Sequence, residues 1–258
     1  MEPQAMDNRR LEEVLLNATA PPEQLLYDGW LLRLSREHIK RASSVNPTFP
    51  STLPFGEKVD ACERVYRERG RVPIFRITSQ PAAPGLDAEL EARGYRVFEP
   101  SLVQRAPLEG MGAAPDAPAG MRFEPMEMEP WVAMAGRLRG WPEHDVAAHT
   151  RRMASSVLAS HCLSLMAGEA VASCGLVTVE GEYAGLFDIY TPPERRGSGL
   201  ARALCRRLLD MGREQGATVG WLSVLAANEP ALAVYRRLGF VTAYEYWYRV
   251  PPDYAAPA

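Results

Sequence analysis

Long apolar runs are missing from this sequence, and no stretch approaches the roughly 20 apolar residues that a membrane-spanning helix needs. The first ten residues also lack the apolar core of a signal peptide. We therefore expect a cytoplasmic protein without a membrane partner. Acidic and basic residues are mixed along the chain, which is typical of a folded globular protein rather than a disordered one.

Cysteine is scarce, and the four that are present never stand at C-x-x-C spacing. Only His161, beside Cys162, accompanies any of them closely. A metal site would need a cluster of such ligands, so we predict no metal and four buried, reduced thiols. A basic surplus is lacking too, since the net charge is −3. Nucleic-acid binders usually carry such a surplus, so no nucleic-acid partner is expected.

One change in composition divides the chain. Residues 106–120 are rich in Pro, Gly and Ala and show no apolar period, which predicts a linker. It separates residues 1–105 from residues 121–250, and residues 251–258 form a tail. With 258 residues, the chain is long enough for two domains.

The second half reads as a mixture of strands and helices. The pattern predicts, in order, a strand at Met121–Met126, helices at Pro130–Gly140 and Pro142–Leu158, strands at His161–Ala167, Ala170–Glu180 and Tyr183–Thr191, a helix from Leu200 up to Gly216, a strand at Val219–Leu225, a helix at Ala231–Leu238 and a strand at Phe240–Val250. The strand–helix–strand order around Leu200 implies one crossover in a mixed sheet. We predict an α/β fold with a mixed sheet.

The first half repeats parts of this plan. Arg67–Gly70, before a predicted strand at Val72–Ile77, parallels Arg213–Gly216, and Gly94 parallels Gly239 at nearly the same offset. The first half lacks a glycine-rich turn at the corresponding place, where Thr52–Lys58 brings a proline and a phenylalanine instead. We predict two tandem domains of one architecture, of which the first is degenerate.

The segment Arg195–Ala201 reads RRGSGLA and lies between a predicted strand and a predicted helix. The first turn of a helix presents unpaired N–H groups, and the helix dipole adds positive potential there. Glycines let the backbone approach a ligand closely. Together these features predict a seat for a diphosphate, to which Arg196 could add a charge-assisted bond. The dinucleotide fingerprint and the nucleotide-triphosphate loop are both disfavoured, since Arg202 replaces a glycine and no Gly-Lys-Ser/Thr follows.

The string Arg196-Gly-Ser-Gly-Leu-Ala201 resembles the R/Q-x-x-G-x-G/A motif of the GCN5-related N-acetyltransferase (GNAT) superfamily. Further elements of that family follow in order: Leu222–Val224 on a strand, then Asn228, then Tyr235–Phe240. The resemblance covers residues 121–250. The first half resembles the N-terminal half of members with two tandem acyl-CoA N-acyltransferase-like domains.

The resemblance implies a role for each part of the site. Acetyl-CoA would be the co-substrate, and Tyr235 would be the catalytic acid that protonates the departing thiolate. The residues that would bind acetyl-CoA are Ile189, Tyr190, Thr191, Arg196, Gly197, Ser198, Gly199, Leu200, Ala201 and Asn228. The first three would pair with the pantetheine arm and polarise the thioester, the next six would hold the diphosphate, and Asn228 would bond the arm from the other side.

Each of these residues has an alternative interpretation. Tyr235 could be a packing aromatic, Asn228 could be only a helix N-cap, and the arginines could be solvated charges. Asp188 could act as the general base for the amine. His149 and the other histidines of the second half fit surface or packing positions better than ligand positions.

The combined pattern predicts an N-acetyltransferase that moves an acetyl group from acetyl-CoA to a primary amine by direct attack on the thioester. The acceptor would be a small-molecule amine or a peptide amine. An alternative from another class is a catalytically silent module that binds CoA or a peptide. Because a second domain can replace a second subunit, we expect a monomer.

Overall fold

The structure is a computed structural model that describes residues 8–36, 39–80, 82–112 and 114–255. Its helices are α1 Asn8–Ala18, α2 Phe55–Arg67, α3 Leu86–Ala92, α4 Met128–Arg139, α5 Glu143–Ala154, α6 Leu200–Glu214 and α7 Glu229–Arg237. Its strands are β1 Gln24–Tyr27, β2 Trp30–Arg33, β3 Val45–Pro47, β4 Phe75–Thr78, β5 Arg96–Pro107, β6 Met121–Met126, β7 Ala159–Ala167, β8 Ala170–Glu180, β9 Tyr183–Tyr190, β10 Val219–Leu225 and β11 Val241–Val250.

The chain forms two compact units that are not contiguous in sequence. Unit 1 comprises the chain up to Ala18 together with Val103–Val224 and Asn228–Ala243. Unit 2 comprises Thr19–Leu102, Leu225–Ala227 and the chain from Tyr244 onward. This division differs from the expected contiguous halves at both ends of the chain, because the first helix belongs to unit 1 and most of the last strand belongs to unit 2.

Polar contacts attach α1 to unit 1. The Asn8 side chain donates to the Ala243 carbonyl at 3.1 Å. Arg10 and Asn17 donate to the carboxylate of Glu180 at 2.7 Å and 3.1 Å. One face of α1 is also buried through Leu11 and Leu15. Contacts over such sequence distances leave no local signature, so composition alone assigns this helix to the wrong half.

In unit 2, β1, β2 and β3 form an antiparallel run, β3 and β4 are parallel, and β4 and β11 are antiparallel. The core of this unit contains the fully buried side chains of Trp30, Tyr66 and Phe75. The strand predicted at Val72–Ile77 begins only at Phe75. Pro73 has no N–H to give to a ladder, which explains the later start.

In unit 1 the strand order is β10-β9-β8-β7-β6. Only the β9–β10 pair is parallel among these, and α6 forms the crossover between the two strands. The predicted mixed sheet is therefore confirmed. Every strand and helix predicted from Met121 onward is present; β6, β8 and β10 have the predicted bounds, and the other elements have shifted ends. Helix α5 stops at Ala154 rather than Leu158, because the Ser155 hydroxyl bonds the Arg152 carbonyl at 2.8 Å and competes with the helix.

Two apolar layers cover the sheet of unit 1. Trp131 of α4 is fully buried and lies in one cluster with Cys162 and Cys174. The predicted apolar face of α6 is buried at Leu204 and Leu208, whereas Met211 is only half-buried. Burying each such leucine contributes about 1.5–3 kcal/mol. All four cysteines are buried, as predicted.

The segment predicted as a linker is attached to unit 1 as far as Gly112. Strand β5 extends to Pro107, and the N–H of the buried Leu108 donates to the Thr218 carbonyl at 2.8 Å. Arg206 and Arg213 of α6 donate to the Gly112 carbonyl at 2.9 Å and 3.2 Å. Arginine side chains thus supply hydrogen bonds to a backbone carbonyl in a segment that has no regular secondary structure.

We predict that Gly212→Ala destabilises the protein by about 1–3 kcal/mol through overpacking. A Cβ at this position would lie 2.6 Å from the Cβ of Ala184 on β9, and both atoms are fixed by backbone. Urea unfolding would measure the change. Ala184→Gly in the same chain should restore part of the loss, and the exposed Arg202→Ala on the same helix should change stability by less than about 0.5 kcal/mol. A stable Gly212→Ala protein would contradict the close approach.

Candidate active site

The parallel strands β9 and β10 separate before they end. Their register runs from Tyr183 opposite Val219 to Leu186 opposite Leu222. Beyond that point the described residues show no further pairing between the two strands, although β9 continues to Tyr190 and β10 to Leu225. The carboxyl ends of parallel strands meet at one edge of a sheet, so the opening lies at that edge.

A bulge in β9 accompanies the opening. On the β8 side, Leu176 pairs with Phe187 and Cys174 pairs with Tyr190, so Asp188 and Ile189 oppose a single residue. Asp188 has a φ of 51°, in the left-handed region that non-glycine residues rarely adopt. A bulge re-aims the strand and ends regular pairing, which leaves main-chain groups of β9 open to another partner.

The other side of the bulge is fixed by Ser173, which sequence reasoning missed. Its buried hydroxyl donates to the Tyr190 carbonyl at 2.9 Å and lies 2.9 Å from the Thr191 hydroxyl. Since the Ser173 proton points to Tyr190, the Thr191 hydroxyl is the donor in the second bond. A serine within an otherwise largely apolar strand pattern was the signal available in the sequence, since a polar group that becomes buried needs a hydrogen-bond partner.

Charged side chains surround Asp188 on the side of α4 and α5. His149 Nε2 lies 3.3 Å from Asp188 Oδ2, and Arg139 lies 3.5 Å from Asp188 Oδ1. Burial alone would raise the pKa of Asp188, but the bond from His149 and the charges of Arg139 and Arg152 hold it well below its usual range. A carboxylate with a lowered pKa is a weak base, which argues against Asp188 as the general base.

The glycine-rich turn follows β9 directly. Pro193–Arg195 forms a short 3-10 turn, and Gly197 and Gly199 both have φ near 80°. No atom lies within 4 Å of where a Cβ would stand at either glycine, so the turn is open. Both glycines and Ser198 are exposed. The main chain can therefore approach a ligand closely here.

Helix α6 begins at Leu200, as predicted, and its first N–H groups face the open turn. The first backbone bond into the helix runs from Ala203 N–H to the Gly199 carbonyl at 3.1 Å. The amides before Ala203 are therefore left without intrahelical acceptors. No acidic residue stands in the first turn and no side chain caps it, so an external anion meets donors rather than a protein carboxylate.

Arg196 is exposed beside the turn. Its Nε donates to the Thr191 carbonyl at 3.1 Å, which ties the end of β9 to the turn. The Ser198 hydroxyl donates to the Arg195 carbonyl at 2.7 Å and fixes the turn from within. The terminal nitrogens of Arg196 can still meet a phosphate, because a guanidinium has five N–H donors.

Asn228 follows β10 and caps α7. Its Oδ1 accepts from the Ala231 N–H at 3.2 Å, so the N-cap interpretation is confirmed. The residue is exposed, and a further bond from its amide to a ligand stays a prediction.

Tyr235 lies on α7 with 8% of its surface exposed. Its ring is 6.0 Å from that of Phe240. In the part of the chain that the structure describes, its hydroxyl has no hydrogen-bond partner. Burial raises the pKa of Tyr235 above its usual value, so the phenol keeps its proton at neutral pH.

Comparison with known proteins identifies a family for this chain. The family described as "Probable histone acetyltransferase Rv0428c C-terminal" matches residues 5–249. The chain belongs to this family of GNAT acetyltransferases. It is a GNAT enzyme that transfers acyl groups, and the open turn before α6 is the motif by which the sequence resembles the superfamily.

Curated relatives of this GNAT enzyme are also named acetyltransferases. An uncharacterized N-acetyltransferase, YobR of Bacillus subtilis, is 25% identical over 95% of this chain and 99% of its own length. The alanine N-acetyltransferase of ribosomal protein bS18 from Escherichia coli is 37% identical over 27% of this chain, and the match spans 47% of that relative. Streptothricin acetyltransferase of Streptomyces lavendulae is 47% identical over 20% of this chain and 28% of its own length.

Solved structures share the fold of the whole GNAT chain. A GCN5-related N-acetyltransferase from Kribbella flavida matches 98% of both chains with a TM-score of 0.70 at 16% identity. A tandem GNAT protein from the clavulanic acid biosynthesis pathway matches 76% of this chain and 69% of its own with a TM-score of 0.58 at 20% identity. The predicted fold class, an α/β mixed sheet in two tandem acetyltransferase-like domains, is confirmed.

No helix in the described ranges is long and apolar enough to cross a membrane. No group of three or more His, Cys, Asp or Glu side chains in those ranges is arranged to hold a metal ion.

We predict that Gly199→Ala weakens CoA binding at least tenfold, as measured by calorimetry. A Cβ at a φ of 80° is strained, and it also enters the open turn that faces the ligand. The control is Gly181→Ala in the β8–β9 turn, where φ is 55° and the surroundings are equally open. Both variants should lose about 1–2 kcal/mol of stability, but only the first should lose affinity. Equal affinities would contradict the proposed contact.

Proposed function

We propose that this enzyme moves an acetyl group from acetyl-CoA to a primary amine by direct attack of the amine on the thioester. The observation that carries the proposal is the separation of β9 from β10 directly before the open turn at Gly197 and Gly199. One extended ligand with a diphosphate at one end fits both features. CoA has this form, with a pantetheine arm beyond its diphosphate.

The donor would be held chiefly by main chain. The amides from Gly197 to Ala201 would bond the diphosphate, with the helix dipole of α6 adding favourable potential. The Arg196 N–H instead donates to the Pro193 carbonyl at 3.3 Å, so Arg196 would contribute through its guanidinium. Ile189, Tyr190 and Thr191 would pair with the pantetheine arm as a neighbouring strand does. An N–H at this end of β9 would stabilise the oxyanion that forms on the thioester carbonyl. The exposed amide of Asn228 would bond the arm from the side of β10.

The reaction needs one proton to leave the amine and one to reach the sulfur. The amine nitrogen attacks the carbonyl carbon, the tetrahedral intermediate collapses, and the carbon–sulfur bond breaks. Tyr235 would give its proton to the departing sulfur and would regain one from water as CoA leaves. Its raised pKa supports this role, because the phenol is protonated before each turnover. The excess proton of the amine would leave through water, since Asp188 is a poor base.

The acceptor would be a small-molecule amine or a peptide amine. Relatives support this range, since their names include a ribosomal-protein alanine, thialysine and streptothricin as substrates. Helices α4 and α5 border Asp188 and are the elements of unit 1 from which we expect acceptor contacts. A screen of pooled amines with acetyl-CoA, read as free thiol and product mass, would identify the acceptor.

Unit 2 would bind no second molecule of acetyl-CoA, in line with the expected degenerate first half. The carboxylate of Asp28 accepts from the N–H groups of Thr52 and Leu53, at 3.0–3.1 Å, and from the Thr52 hydroxyl at 2.7 Å. The bond from Leu53, together with those from Thr52 and Lys58, holds the pKa of Asp28 well below its usual range. A carboxylate of the protein thus occupies donors just before α2, where unit 1 offers free amides before α6.

We predict that Tyr235→Phe lowers kcat about 100-fold or more and leaves the Kd of acetyl-CoA within twofold. Thiol release and calorimetry would measure the two quantities. Phe fills the same buried volume, so stability should change little. A matched control is Phe240→Leu, which alters the neighbouring ring without touching the hydroxyl. Unchanged turnover in Tyr235→Phe would exclude the acid role.

We also predict that the full chain binds one acetyl-CoA. Calorimetry should give a stoichiometry of one for the wild-type protein, because Asp28 closes the donor groups of unit 2. The Gly199→Ala variant should show no second, unaffected site at higher ligand concentration. A stoichiometry of two, or a site that survives this substitution, would contradict the assignment of unit 2.

A further inference from the structure

The C-terminal end of α4 is hydrogen-bonded to the bulge of β9. The Arg139 guanidinium donates to the backbone carbonyl of Asp188, and it also reaches the Asp188 carboxylate at 3.5 Å. The Tyr190 hydroxyl donates to the Leu138 carbonyl at 3.2 Å. Consecutive residues of α4 thus bond both ends of the irregular segment 188–190. A carbonyl that is bonded to Arg139 is withdrawn from any ladder with β10.

Arg139 is itself held in place. Its guanidinium lies 5.1 Å from the ring centres of both Trp141 and Tyr190. Only 18% of its side chain is exposed. A planar guanidinium in contact with two aromatic rings loses little further freedom when it bonds Asp188, and a lysine could not reproduce this geometry.

Helix α5 holds the opposite oxygen of the same carboxylate. Arg152 lies 3.2 Å from Nδ1 of the buried His149, and an arginine can only donate. Nδ1 therefore accepts and the ring carries a proton on Nε2, which faces Asp188 Oδ2 at 3.3 Å. Asp188 thus has close contacts at both carboxylate oxygens and a hydrogen bond at its carbonyl, and these contacts surround the residue in the left-handed conformation found there.

We propose that Arg139 is a positioning residue for the acyl donor. It keeps Asp188 in the left-handed conformation, and the bulge in turn keeps β9 apart from β10, so that the side of β9 facing β10 stays unpaired beyond Leu186 and can take the pantetheine arm. The inference rests on the proposed function for the identity of the ligand. Its structural part, that Arg139 stabilises the bulge at Asp188, concerns the ligand-free protein and can be tested alone.

The first experiment uses two ligands that differ only in the arm. CoA carries both diphosphate and pantetheine, whereas adenosine 3′-phosphate 5′-diphosphate carries the diphosphate without the arm. For Arg139→Gln, the Kd of CoA should rise about tenfold, as expected for loss of a charge-assisted bond. The Kd of the armless ligand should stay within twofold. Arg139→Lys should fall between wild type and Arg139→Gln.

The matched control is Arg137→Gln, on the same helix with an exposed side chain. It should bind both ligands as the wild type does. If Arg139→Gln weakens both ligands equally, or weakens neither, the positioning role is wrong. A fall in melting temperature of the Gln variant without a change in the ratio of the two Kd values would likewise overturn it.

The second experiment needs no ligand. Hydrogen–deuterium exchange of the free protein should become faster at residues 187–191 in Arg139→Gln and remain unchanged in Arg137→Gln. Unchanged exchange at these residues would overturn the inference that Arg139 stabilises the bulge. If the exchange behaves as expected but the wild-type protein binds no CoA, the positioning of β9 stands and the proposed function fails.

Discussion

Main-chain amides and carbonyls inside a sheet need partners, and this requirement governs the candidate active site of unit 1. A buried backbone group without a hydrogen bond costs free energy on the order of 1–3 kcal/mol. Strands β9 and β10 satisfy one another only as far as Leu186 and Leu222. The groups beyond that point lie at the edge of the sheet, where a bound strand-like ligand can complete the pairing. The same condition holds at the start of α6, whose first amides have no acceptor within the helix.

Two parallel strands tend to pair along their whole length. Specific contacts keep the ends of β9 and β10 unpaired in spite of this tendency. Ser173 bonds the Tyr190 carbonyl from β8, and Arg139 bonds the Asp188 carbonyl from α4. Unit 2 meets the same condition in another way, since Asp28 supplies an acceptor to the amides of Thr52 and Leu53. The two units therefore differ in whether the protein itself supplies hydrogen-bond acceptors to these main-chain amides. No side chain caps the first amides of α6 in unit 1, whereas in unit 2 the side chain of Asp28 accepts from the amides of Thr52 and Leu53.

Local features of the site could be predicted from the sequence because each depends on neighbours along the chain. Glycines at 197 and 199 indicated positive φ, the apolar spacing from Leu200 indicated α6, and Asn228 before Glu229 and Pro230 indicated a cap. The bulge could not be predicted in this way. Its residues read as ordinary strand, and the side chains that hold Asp188 are 39 and 49 residues distant in sequence, on helices whose facing sides no pattern reveals. The place of α1 in unit 1 was missed for the same reason.

In the proposed mechanism, helix α7 would connect the binding of acetyl-CoA to the chemistry, because one short element carries both Asn228 and Tyr235. Seven residues separate them, which is about two helical turns, so they lie near the same face and roughly 10 Å apart along the axis. The Asn228 cap fixes where the helix begins, and the buried ring of Tyr235 fixes its rotation against the core. If Asn228 binds the arm and Tyr235 meets the sulfur, the two residues must keep a constant spacing, since a fixed number of bonds joins the two contact points in the extended ligand. A capped and packed helix provides that spacing more reliably than two independent loops would.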